Sequence, residues 1–160
     1  MLTLTLIIAA IVNSYAGGLM ETDTKAPSVT LQAKYYQNGT GMEIRHISGD
    51  PLPTGSVKVV IKPSDTMGKS ASQYTSIVNK SLITNLSGTD SWASGITSLR
   101  PGEIDYILGN NTNKGNLSQL QNGIPEQYLF NNTNNLGNTF FMEIYYKNTM
   151  ISKNEVLIEN

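Results

Sequence analysis

The chain has 160 residues, enough for one domain with a short appendage, and carries a formal net charge of −1 with only 14% charged residues. A nucleic-acid binder needs a basic face and a disordered acidic chain needs far more charge, so neither class fits. With no Cys and one His, His46, there is no disulfide framework, no thiol chemistry and no His cluster for zinc or a triad.

Residues 1–20 contain no charged side chain; the first charge is Glu21. An apolar run of this length reads as a helix, and Gly17-Gly18 marks its stop or hinge. Three fates are open to it. A cleaved signal peptide would carry a basic start, which is missing here. A membrane span needs about 20 predominantly apolar residues, and the clean run is about 12. The third fate is packing against copies of itself. Ala10, Ser14 and Gly17 form a stripe of small residues that lets backbones approach closely. Leu2, Leu4, Leu6, Ile7, Ile8, Ile11 and Val12 surround that stripe with bulk, and a helix apolar all round must be buried all round.

Pro27 ends any helix by Ala26. Val29, Leu31, Ala33 and Tyr35 then alternate with polar residues, predicting a half-buried strand that turns at residues 37–41 and returns over residues 42–47. Residues 48–55 read as loop. Val57, Val59 and Ile61 mark the clearest strand. Residues 63–76 read as loop, with a short helical turn around residues 72–78. Short strands are expected at residues 82–86 and 104–108. Residues 109–138 hold ten Asn and four Gly and read as a surface insertion. Phe140, Met142, Ile144 and Tyr146 alternate in a further strand, followed by a turn at residues 147–149 and a last strand. The whole predicts an α+β fold. A hydrophobic helix (residues 1–20) and a connector (21–27) lead into an antiparallel immunoglobulin-like β-sandwich (28–160).

Chemistry is sparse. His46 and Asp50 lack the third and fourth donors of a metal site, and no carboxylate pair sits in a recognisable catalytic pattern. No catalytic residue, metal or cofactor is therefore expected. Asn-x-Ser/Thr occurs six times, at Asn38, Asn79, Asn85, Asn110, Asn116 and Asn131. Random placement of the Asn, Ser and Thr present would give roughly three, so N-linked glycans are expected on an exposed surface.

The run TLIIAAIVNSYAGGL followed by ETDTKAPSVTLQ resembles the N-terminal region of archaeal type IV pilins. The resemblance continues in IRHISGDPLPTGSVKVVIK, where His46, Gly49, Asp50 and Leu52 match a family turn and Ser48 replaces a glycine. Trp92-Ala93-Ser94-Gly95 and Leu99-Arg100-Pro101-Gly102-Glu103 match further family motifs. Family precursors begin with a short basic leader and the mature helix opens with several more residues, so residues 1–20 resemble the inner part of such a helix. The resemblance implies a membrane-inserted precursor and identical subunits assembled through their N-terminal helices into an extracellular adhesive filament. An archaellin of a motility filament shares that plan, and a membrane-anchored binding module is a further alternative.

Overall fold

A computed structural model describes residues 25–37, 41–108 and 120–160. Seven strands run in chain order: β1 (Val29–Tyr36), β2 (Gly41–Gly49), β3 (Val57–Pro63), β4 (Ser76–Ile77), β5 (Ile104–Leu108), β6 (Thr139–Tyr146) and β7 (Thr149–Glu159). They form one sheet in the order β4-β3-β6-β7-β1-β2-β5. Alternation does what the sequence predicts. Leu31 and Tyr35 of β1, Met42 and Ile44 of β2, and Phe140, Met142 and Ile144 of β6 turn inward, and their intervening neighbours mostly face out.

The expected α+β fold of helix plus immunoglobulin-like sandwich is overturned. Among the described residues the molecule is mostly β, with no helix of seven or more residues and no apolar helix. The helical pieces that lie wholly among the described residues are three-residue 3₁₀ turns, such as Asp65–Met67 and Lys80–Leu82. The two halves that would be separate layers, β1-β2-β5 and β4-β3-β6-β7, are instead joined. β1 lies parallel to β7, pairing Tyr35 with Ile158 and Tyr36 with Glu159. The joined sheet curls into a half-barrel. Its curl is visible in the aromatic rings. Tyr35 of β1 meets Phe140 of β6 at 6.0 Å between centroids, although β7 lies between their strands in the sheet. One continuous core fills the concave side. Alternation identifies the buried face of each strand but carries no information about which strand edges pair, which is why the joining of the halves escaped the sequence.

Two local expectations also change. Residues 82–86 give an isolated bridge at Thr84, which exchanges hydrogen bonds with Tyr106 of β5, rather than a strand. The stretch expected to hold one helical turn gives a 3₁₀ turn at Ala71–Gln73 and then β4. From the expected insertion, Leu120, Ile124 and Phe130 are buried, and Phe130 stacks on Phe140 with centroids 3.8 Å apart.

Candidate functional site

The motif residues of the sequence gather where the ends of β1, β2 and β5 meet. β2 finishes at Gly49, whose φ is +108°. A Cβ there would lie 2.1 Å from the Ser28 carbonyl oxygen, so the close crossing of the two segments admits only glycine. Asp50 locks that crossing from both sides. Its backbone N–H donates to Ser28 O at 2.8 Å, and its carboxylate accepts from Ser28 N at 3.0 Å. His46 is fully buried and reaches forward past the end of the strand, with Nε2 2.9 Å from Asp50 O. A carbonyl oxygen can only accept, so Nε2 is the donor in this contact. Nδ1 has no hydrogen-bond partner among the described residues.

The second and third motifs lie against this turn. His46 N donates to Glu103 O at 3.0 Å, and Gly102 N donates to His46 O at 2.8 Å. Glu103 closes its own turn by accepting Arg100 N on Oε2 at 2.7 Å. Leu52 and Leu99 form a two-way backbone bridge. The buried Trp92 indole donates to Asp105 Oδ2 at 2.6 Å. Burial pushes the Asp105 carboxyl above the ordinary carboxylate range. The Trp92 hydrogen bond opposes that shift and the nearby Glu103 charge adds to it. The Trp92–Asp105 bond is not legible in the sequence. Indole-to-carboxylate pairing across 13 residues leaves no periodic signal.

This cluster brackets strand ends and contains no nucleophile positioned by a base. His46 spends its proton on a backbone carbonyl, and no group of three or more His, Asp or Glu able to hold a metal occurs among the described residues. An open depression of about 230 Å³ beside Trp92, walled by Pro53, Ser56, Ser94 and Thr97, has no charged side chain in its lining.

A second cluster, which the sequence did not flag, sits on the outer face of β3, β6 and β7. Glu143 is buried there under Lys62 at 2.8 Å, Lys153 at 3.5 Å and the Tyr145 hydroxyl, which donates to it at 2.9 Å. Burial pushes the Glu143 carboxyl up, but the Lys62 and Tyr145 hydrogen bonds and the two lysine charges outweigh it and hold the group below its usual range. Lys153 also caps the Phe141 ring at 4.3 Å, and Lys58 caps Tyr145 at 5.1 Å. Every charge in this cluster has its partner, so it reads as a covering lattice for the sheet.

Three sequon asparagines are described. Asn79 is exposed and opens the Lys80–Leu82 turn; Asn85 and Asn131 are half-buried. Asn38, Asn110 and Asn116 lie outside the described residues, as do Leu2, Leu4, Leu6, Ile7, Ile8, Ala10, Ile11, Val12, Ser14, Gly17 and Gly18. No helix among the described residues is long and apolar enough to cross a membrane.

No protein-family model matches the chain, and no solved structure matches it. A relative from Archaeoglobus fulgidus, described as an uncharacterized protein, is 31% identical over 74 residues, which are 44% of this chain and 52% of the relative. The chain thus spans about half the length of the curated relative it matches.

Proposed function

We propose that this chain is a structural subunit of an extracellular filament of the archaeal type IV pilus kind, serving adhesion rather than catalysis. The observation that carries the reading is the charge-free run of residues 1–20 joined to a β-domain that fills its core with its own strands. Such a run has to be buried somewhere, and the β-domain already supplies its own apolar interior. Copies of the chain provide that burial, with Ala10, Ser14 and Gly17 letting neighbours approach. The membrane holds the run before assembly, and contacts that repeat without closing generate a filament. The archaeal origin of the relative supports this reading.

The test is Ala10→Glu, which places a charge in the contact between copies. Sheared cell-surface fractions of this variant should contain no filaments by electron microscopy, while circular dichroism of the purified chain keeps its β signature. Filaments of normal length from Ala10→Glu would overturn the proposal.

A further inference from the structure

Three sequons are described in the fold, and their asparagines are set in it in three different ways. Asn79 is exposed at the end of the segment that follows β4. Its Oδ1 accepts from Ser81 N at 3.1 Å and from the Ser81 hydroxyl at 2.9 Å. Both bonds fix the carbonyl side of the amide and leave Nδ2, the atom that bears an N-linked sugar, without a hydrogen-bond partner among the described residues. Asn85 is arranged in the opposite sense. Its Nδ2 donates to Thr89 Oγ1 at 3.1 Å and to Asp90 Oδ2 at 3.2 Å. Its Oδ1 accepts from the Ser87 hydroxyl and from Thr89 N. The whole amide is a latch across the turn that returns Asn85 N to Asp90 O. Asn131 is half-buried, between carbonyls of Phe130 and Asn132 that both accept from Gln37 Nε2. That anchoring, with Phe130 sunk in the core, keeps the backbone of this sequon from being drawn out into a transferase.

We propose that Asn79 is the N-glycosylation acceptor among the described sequons and that Asn85 is a structural latch that only looks like one. The donor class is an oligosaccharide carried on a polyprenyl phosphate or pyrophosphate. The bond formed joins Nδ2 of Asn79 to the sugar anomeric carbon. The bond broken is from that carbon to the phosphate oxygen, which leaves with the electron pair, and one Nδ2 proton passes to a base of the transferase. Freeing the Asn85 amide requires two hydrogen bonds to open first, which lowers the population of a reactive Nδ2 by at least about tenfold. Asn79 needs no such opening. The inference rests on the extracellular location in the functional reading above.

Peptide mass mapping of the intact protein from its native cells tests it. The peptide containing Asn79 should carry the mass of the transferred glycan, with occupancy at least about tenfold above that of Asn85. A bare Asn79, or an Asn85 occupied to the same degree, overturns the assignment. A double variant, Thr89→Ala with Asp90→Ala, removes both acceptors from Asn85 Nδ2, and glycan should then appear at Asn85. An Asn85 that stays bare in that variant overturns the latch as the reason. Electron microscopy of the same cells reads filaments separately: filaments without glycan on Asn79 fail only this inference, and glycan without filaments fails only the assembly reading.

Discussion

At the scale of single residues, Gly49 and Gly102 make a matched pair. Both have positive φ, +108° and +91°, but a Cβ at Gly49 strikes the Ser28 carbonyl whereas one at Gly102 meets nothing within 4 Å. Gly49→Ala should therefore cost about 2–4 kcal/mol from strain and collision together, and Gly102→Ala only about 1 kcal/mol. Urea unfolding midpoints with unchanged slopes would show the difference. Asp105 and Glu143 should tilt the pH dependence of stability in opposite directions. The carboxyl of Asp105 is raised by burial, so its contribution is full below the ordinary carboxylate value and is lost as pH climbs through its folded value. Asp105→Asn keeps an acceptor for the Trp92 indole and removes the buried charge, so it should be more stable than the parent at pH 7, a gain that vanishes near pH 3. The carboxyl of Glu143 is held low, so its contribution is present at neutral pH and disappears as pH falls. Because Lys62 and Lys153 are partly open to solvent, Glu143→Gln should cost only about 1 kcal/mol at pH 7 and nothing in acid. Stability measured from pH 3 to 7 on both variants separates the two slopes.

At the scale of elements, the stretch beyond Leu120 belongs to the core more than its composition suggests. Phe130 is fully buried, stacks on Phe140 and meets Tyr35 edge-on at 5.5 Å. Gln121 holds it in place, accepting Phe130 N on Oε1 at 2.8 Å and donating to Tyr128 O at 3.2 Å. Phe130→Ala should cost about 3–5 kcal/mol. Leu136→Ala, six residues on and 40% exposed, should stay within about 0.5 kcal/mol. Thermal unfolding of the two variants checks the contrast. β1, β2, β3 and β6 were legible in the sequence because each buries one face and so alternates. Phe130 carried only a weak signal, because an irregular segment has no period and its Asn-rich neighbours point to a surface loop. The His46–Asp50 turn was legible as a turn, from Gly49 and Asp50. Its junction with residues 99–103 was not, because loop-to-loop hydrogen bonds such as His46 N to Glu103 O follow no spacing rule.

At the scale of the whole molecule, the two halves of the sheet are joined by pairing between the first and last strands of the chain, β1 and β7. Gln37 reinforces that junction, with N donating to Glu159 O at 2.8 Å and Nε2 donating to the carbonyls of Phe130 and Asn132. A contact between segments so distant in the chain forms only after a long loop is closed, so refolding after urea dilution should take milliseconds to seconds rather than microseconds. A stopped-flow fluorescence trace of Trp92, buried beside β5, reads that rate directly. The direction of the joining strands has a mechanical meaning as well. β1 and β7 run parallel, so the end of the domain nearest Lys25 and the end carrying Asn160 lie at opposite poles. Tension applied between those two residues slides one strand along the other. The contacts at Tyr35, Tyr36 and Gln37 then carry the load together, as glue does in a lap joint, instead of peeling apart one at a time. In the filament subunit proposed above, that arrangement gives a resistance to stretching that the modest size of the domain alone would not provide.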